Sequence, residues 1–286
     1  MNDEQSSEVD RYASTTGQVM TEAGWLDVHF ETCRPEYAAM LRSVGFQRGW
    51  HVLDAGCGSG SFLPLMAELV GPGGRIAALD LAPDNVATVE RRVAGWGLAA
   101  PVEARVGSVF ALPYADDTFD GVWCAATTQY LTDAELGTAL SEFRRVVRPR
   151  GLVAIKDLDG TSPGLVPGPP LMIPHLFEAM AASGNDQFAG CLRVPSLAQW
   201  LREARLGDVW QRSTVVERAA PLRDVEREYI GGGLAYFATI ALQRALPAAD
   251  RAAWLRLADG AGRDCLFDDA NFVWREGHVV AVGIVP

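Results

Sequence analysis

No stretch of this chain approaches the ~18 consecutive apolar residues of a membrane span. The nearest, residues 70–81, is broken by glycines, Pro72, Arg75 and Asp80, so no membrane span is expected. Basic side chains are scarce as well: 25 Lys and Arg stand against 36 Asp and Glu, a formal net charge of −11. Such a surface repels polyanions, and nucleic acid is not an expected partner. The one local concentration of positive charge, Arg144, Arg145, Arg148 and Arg150, reads as the solvated end of a helix, where cations complement the dipole. The five cysteines, at 33, 57, 124, 191 and 265, contain no Cys-x-x-Cys pair. Neither a disulfide framework nor a zinc knuckle is indicated, no metal is expected, and a reducing cytoplasm fits. The first ten residues are acidic and polar, the reverse of a secretory signal, and there is no internal repeat.

What is present suits a compact protein. The 286 residues are 49% hydrophobic and 21% charged, close to globular averages and far from those of a disordered chain or a coiled coil. Over residues 51–157, short apolar runs alternate with amphipathic segments, the pattern of parallel strands joined by crossover helices. Strands are predicted at 51–55, 75–80, 102–106, 121–126 and 152–157. Between them, Val86, Val89, Val93 and Trp96 share one helix face, and Thr132-x-x-Glu135 announces another helix as a capping box. Residues 160–174 hold five prolines and three glycines and read as a connection leaving the sheet. A helix over 196–204, a strand over 208–217, helices within 222–261 and a last strand near 272–285 complete the pattern. The expected fold is α/β: a Rossmann-like, seven-stranded, mostly parallel sheet with helices on both faces, an antiparallel last strand and helical lid insertions. The divisions expected are an N-terminal helical lid (1–47), a core (48–157), a cap insertion (158–195) and a C-terminal part of the sheet (196–286) with a helical insertion at about 222–261.

The strongest chemical signal is Asp54-Ala55-Gly56-Cys57-Gly58-Ser59-Gly60, at the junction of the first strand and the first helix. Glycines let the backbone turn sharply and a ligand lie against bare amides, and a helix N-terminus beyond offers positive potential. Asp80 ends the second strand, where a carboxylate can accept from ribose hydroxyls. A dinucleotide dehydrogenase would require glycine at position 61, which is Ser61.

With that turn, and with Leu79-Asp80-Leu81, Gly107-Ser108-Val109, Leu112-Pro113, Phe119-Asp120 and Phe143-Arg144-Arg145-Val146-Val147-Arg148-Pro149-x-Gly151 following in order, the chain resembles the class I S-adenosylmethionine-dependent methyltransferases. The likeness is to the small-molecule group that includes the ubiquinone and menaquinone methyltransferases, and it covers about residues 48–157. It implies S-adenosyl-L-methionine as cofactor and S-adenosyl-L-homocysteine as product. Carried over by position, Gly56, Gly58 and Gly60 form the cofactor turn and Asp54 holds the loop. Asp80 takes the ribose, Leu81 packs on adenine, and Ser108 and Val109 reach the adenine edge. The backbone of Ala125 meets the cofactor's amino group. Ser108 departs from the family's usual aspartate, which weakens that contact. Residues 12–25 match the family's lid, with Tyr12 as its gate.

If the acceptor is a hydroxyl or an acidic carbon, a general base is needed, and the four histidines are the first candidates. His51 and His278 read as structural. His29, in the N-terminal helical region, and His175, near Met172, Phe177 and Met180, are the catalytic candidates, and Gln129 and Tyr130 are placed to orient an acceptor. Cys124 reads as inert packing. The expected activity is methyl transfer to an O, N or C atom of a small, largely hydrophobic metabolite. The alternatives are a non-methylating reaction on the same cofactor, such as cyclisation or decarboxylation, and a non-catalytic cofactor-binding partner. Neither the acceptor nor the oligomeric state is legible.

Overall fold

The computed structural model describes residues 21–286. A long helix α1 (Ala23–Val44) precedes the alternating units β1 (His51–Ala55), α2 (Leu63–Val70), β2 (Arg75–Asp80), α3 (Pro83–Trp96), β3 (Val102–Val106), β4 (Phe119–Ala125) and α4 (Asp133–Val146). The chain continues through β5 (Val147–Val166), α5 (Met172–Ala182), α6 (Asp186–Arg193), α7 (Leu197–Glu203) and β6 (Gly207–Ala219). It then runs through α8 (Asp224–Ala241), α9 (Ala248–Leu257), α10 (Gly260–Phe267) and β7 (Val273–Ile284). The seven strands lie in the order β3-β2-β1-β4-β5-β7-β6. β7 is inserted antiparallel between β5 and β6, and the remaining ladders are parallel.

Strand periodicity sorts the core into two layers. Val52, Ile76, Ala78, Trp123 and Ala154 face α1, α2 and α3, whereas Leu53, Ala77, Leu79, Val122 and Val153 face α4 and α7. The helix after β1 thus packs on one face and the helix after β4 on the other. This divergence opens a crevice beyond the carboxyl ends of the two neighbouring strands.

The capping box at the start of α4 forms as its sequence implies: the Glu135 amide donates to Thr132 Oγ1 at 3.3 Å and the Thr132 amide donates to Glu135 Oε2 at 2.9 Å. Thr132→Ala is expected to lower stability by about 1 kcal/mol in a denaturant titration.

The fifth strand is the main departure from expectation, running on through Val166 rather than ending at Asp157. Its pairing with β7 shifts between Asp159 and Gly164 and then resumes, with Gly164 opposite Arg275 and Val166 opposite Val273. Pro163 falls inside the unpaired interval, where its missing amide breaks no ladder bond, and Ser162 Oγ accepts from the Gly277 amide at 2.7 Å. Pro163 marks an irregularity within the strand, and the connection leaving the sheet begins only at Pro167. Beyond β5, helices α5, α6 and α8 form a roof, joined by Phe177, Phe188 and Phe237 with ring centres 4.8–6.3 Å apart.

Candidate active site

A cavity of about 400 Å³ lies at the carboxyl ends of β1, β2, β4 and β5, within the usual range for small-molecule sites. The glycine turn forms one wall. Gly56, Gly58 and Gly60 all have positive φ, at +78°, +54° and +80°. The amides of Gly56 and Cys57 both donate to Leu79 O, at 2.7 and 2.9 Å, which ties the turn to β2. A Cβ on Gly56 would stand 2.1 Å from Thr127 Oγ1, and one on Gly58 would stand 2.7 Å from Leu26 Cδ1. Bare backbone is therefore a steric requirement at Gly56, whereas at Gly58 the end of the Leu26 side chain could move aside and the positive φ is what favours glycine. Gly60 packs instead toward Leu63 and Val89 and does not line the cavity, so its contribution is the turn itself.

Helix α1 crosses this turn and is fastened to it. Asp27 Oδ1 accepts from Ser59 Oγ at 2.8 Å and from Arg92 Nη1 at 2.8 Å, and Arg92 also donates to Ser59 O at 3.0 Å. Tyr12, expected to be the gate, lies outside the described residues.

Two carboxylates sit beneath the turn. Asp54 is 2% exposed, and its Oδ2 has no hydrogen-bond partner among the described residues. Burial, with the nearby charge of Asp80, pushes its carboxyl up to about 8. An orphaned acid in the cavity wall is suited to a cationic ligand, and S-adenosylmethionine carries an ammonium and a sulfonium. Asp80 Oδ2 accepts from the Gly58 amide at 2.8 Å, and its Oδ1 accepts from the Ala82 amide at 2.9 Å and Asn85 Nδ2 at 3.3 Å. Three of a carboxylate's roughly four acceptor positions are used. One is left for a sugar hydroxyl, and the expectation of two ribose bonds requires Asn85 to give way. Burial raises the Asp80 carboxyl, against the two amide hydrogen bonds that lower it.

The end of the cavity expected to take adenine is lined by Leu81, Ser108 and Val109. Leu81 is 59% exposed, an apolar surface large enough to pack against a flat ring. Ser108 Oγ accepts from the Phe110 amide at 3.2 Å, which leaves its hydroxyl proton available to a ring nitrogen. Val109 and Ala125 complete that wall. Ala126 adopts φ +52° as it leaves β4, with its amide bonded to Lys156 O at 2.7 Å.

The other end of the cavity lies under the aromatic roof and against a polar cluster drawn from α1, β5, α8 and β7. Glu276, 2% exposed, accepts from Cys33 Sγ at 3.2 Å, Tyr229 Oη at 2.9 Å, Trp274 Nε1 at 3.2 Å and His278 Nε2 at 3.1 Å. Burial raises its carboxyl, and the combined influence of His278, His29 and the Cys33 hydrogen bond outweighs that, holding it at about 2. Tyr37 Oη lies 2.6 Å from His29 Nε2 and 3.2 Å from His278 Nε2. Burial pulls the two imidazoles down, His29 to about 3 and His278 to about 4, so both are neutral. Since His278 Nε2 donates to the carboxylate, the Tyr37 hydroxyl donates to His29. His29 also stacks on Tyr229, with ring centres 4.7 Å apart at 4°. The donor atoms of His29, Cys33, Glu276 and His278 lie within 4.8 Å of one another, turned upon each other and upon Tyr37.

Residues 52–151 match the family model described as a methyltransferase domain. This segment is a methyltransferase domain. The chain is 31% identical over 147 residues to a demethylmenaquinone methyltransferase of Lactobacillus johnsonii, covering 45% of this chain and 59% of that protein. It is 36% identical over 141 residues to a malonyl-[acyl-carrier protein] O-methyltransferase of Pseudescherichia vulneris, covering 49% and 51%. The chain thus spans little more than half the length of these curated relatives. Its fold is similar to that of a phosphoethanolamine N-methyltransferase of Haemonchus contortus solved with S-adenosyl-L-methionine. The TM-score is 0.56 at 16% identity, over 98% of this chain and 60% of that one.

Around the methyltransferase domain, the structure gathers Asp54, Gly56, Gly58, Asp80, Leu81, Ser108, Val109, Ala125, His29, Gln129 and Tyr130 on one cavity. Gln129 and Tyr130 form a short 3-10 turn after β4. Helix α6 presses on it so closely that a Cβ on Gly190 would stand 2.1 Å from Gln129 O. His175 is not brought there: its Nδ1 lies 2.6 Å from Asp250 Oδ2, tying α5 to α9 outside the cavity wall. It is a structural link and not an acid–base candidate. Lys156, Tyr37, Tyr229 and Glu276 line the cavity and escape a sequence reading that begins with histidines. One signal was available: Glu276 and His278 are two positions apart on a strand that is otherwise apolar toward its end, which puts both on one face.

Proposed function

We propose that the protein methylates an O, N or C atom of a small, largely hydrophobic metabolite, with S-adenosylmethionine as methyl donor. The observation that carries this reading is one continuous cavity that joins the glycine turn and Asp80 to an aromatic chamber with a polar floor. When bound, the cofactor supplies an electrophilic methyl group. The chain does the rest by placement. The backbone at Gly56 and Gly58 would accept the methionine portion against bare amides, beside the orphaned carboxyl of Asp54. Asp80 would take a ribose hydroxyl and Leu81 an adenine face. Phe177, Phe188 and Phe237 roof the acceptor end and exclude water, while Gln129, Tyr130 and the Glu276 cluster offer fixed polar contacts that orient the acceptor.

Nucleic acid is disfavoured as a substrate by the net charge of −11. Two of the four arginines in the local basic run are also already paired, Arg145 with Asp116 at 2.9 Å and Arg148 with Asp120. All five cysteines are free thiols, in keeping with a reducing cytoplasm. Among the described residues no helix is long and apolar enough to cross a membrane.

The test is turnover with methyl-labelled S-adenosylmethionine and pooled small aromatic and aliphatic acids, phenols and amines. Label in an extractable product together with released S-adenosylhomocysteine supports the reading. Tight cofactor binding with neither labelled product nor released S-adenosylhomocysteine from any pool contradicts it.

A further inference from the structure

Lys156 is the single lysine among the 25 Lys and Arg residues of this chain. It projects from β5 into the cavity wall at 1% exposure. Among the described residues, its ammonium has one partner, the ring of Tyr37, whose centre lies 3.6 Å from Nζ. A buried cation without a counter-ion is costly, and an apolar side chain of similar volume would avoid that cost. Of the nearby anions, Glu276 is surrounded by four donors from other residues, and Asp157, the neighbour of Lys156 on the strand, points to the opposite side of the sheet, where its Oδ2 accepts from Thr128 and its Oδ1 has no partner among the described residues. Leu158, Phe177 and Phe237 are among the apolar residues that line the same cavity.

The ammonium also stands next to the expected cofactor contact. Lys156 pairs with Ala125 across the β4–β5 ladder, and its carbonyl accepts from the Ala126 amide. An anion held by Lys156 therefore lies at the boundary between the cofactor end and the aromatic chamber.

We infer that the acceptor is a hydrophobic oxygen acid, a carboxylate, phenolate or enolate, whose ionised oxygen pairs with Lys156. This deepens the methyltransferase reading and rests on it. A lone pair of that oxygen forms the new O–CH₃ bond as the S–CH₃ bond breaks, and the bonding electrons pass to sulfur. The negative charge of the oxygen and the positive charge of the sulfonium cancel, and Lys156 keeps its proton throughout. No base is required for an acceptor bound already ionised. The neutral ester or ether product loses its attraction to the ammonium, which favours its release.

The experiment uses the full chain saturated with S-adenosylhomocysteine and three probes of one shape, 2-naphthoate, 2-naphthylmethanol and 2-naphthylmethylamine, titrated by calorimetry. 2-Naphthoate is expected to bind at least tenfold more tightly than the other two. In Lys156→Met that preference disappears, while affinity for S-adenosylhomocysteine changes less than twofold. Because Lys156 is the sole lysine, reductive methylation followed by mass spectrometry gives a second readout in the unmodified protein: 2-naphthoate protects Lys156 and the alcohol does not. The inference is overturned if the alcohol or amine binds as well as the acid, if the preference survives in Lys156→Met, or if that variant loses S-adenosylhomocysteine, which would assign the ammonium to the cofactor's carboxylate. Absence of S-adenosylhomocysteine binding by the unmodified chain would instead refute the methyltransferase reading itself.

Discussion

Asp80→Ala weakens S-adenosylhomocysteine binding by about 1.5–3 kcal/mol, roughly ten- to a hundredfold or somewhat more, the range for a hydrogen bond to a charged group. The loss has two sources. One is the acceptor position that remains for a ribose hydroxyl. The other is local architecture, because the same carboxylate accepts from the amides of Gly58 and Ala82, and alanine leaves both donors unpartnered at the edge of the site. Asp80→Asn separates the two. It keeps the side chain's shape and one acceptor oxygen, so its affinity should fall between that of the parent chain and that of Asp80→Ala. Calorimetry with S-adenosylhomocysteine checks both variants, and an Asp80→Ala protein with undiminished affinity would remove the ribose role.

Gly56→Ala is expected to be the most damaging single methyl addition in the molecule's cofactor turn. The residue has φ +78°, which costs an L-residue about 1–2 kcal/mol, and the added Cβ would lie 2.1 Å from Thr127 Oγ1. Overpacking of that kind typically adds about 1–3 kcal/mol. A total loss of about 2–5 kcal/mol should appear as a lower denaturant midpoint, with S-adenosylhomocysteine binding reduced further because the turn and the segment after β4 must separate. Thr127→Ala in the same chain removes the two nearest atoms, leaving its Cβ at 3.0 Å, but not the backbone strain, so the double variant should recover part of the loss. If Gly56→Ala alone is as stable as the parent and binds as well, the close approach described here is wrong.

Much of the site's cofactor end was legible in the sequence because it is local. Asp54, Gly56 and Gly58 fall within one turn, and Asp80 and Ser108 follow at strand ends whose alternating apolar pattern locates them. The acceptor end was not legible, because its parts are remote in the chain: Tyr37 comes from α1, Lys156 from β5, Tyr229 from α8 and Glu276 from β7, and nothing in their spacing predicts that they meet. His175 misled because a histidine after a proline-rich segment with Met172 and Phe177 nearby reads as a pocket. The phenylalanine does turn inward, but the histidine lies on another face of α5 and engages Asp250. The same proline-rich segment hid the extension of β5, since a strand that tolerates a bulge at Pro163 resembles a loop by composition alone.

The central claim is that the Gly56–Gly58 turn, Asp54 and Asp80 form an adenosyl-sulfonium site. Its most direct test is a calorimetric titration of the unmodified chain with S-adenosylhomocysteine and, separately, with NADH. The account predicts one saturable site per chain for S-adenosylhomocysteine and none for NADH; no binding of the former, or saturable binding of the latter in its place, would contradict it.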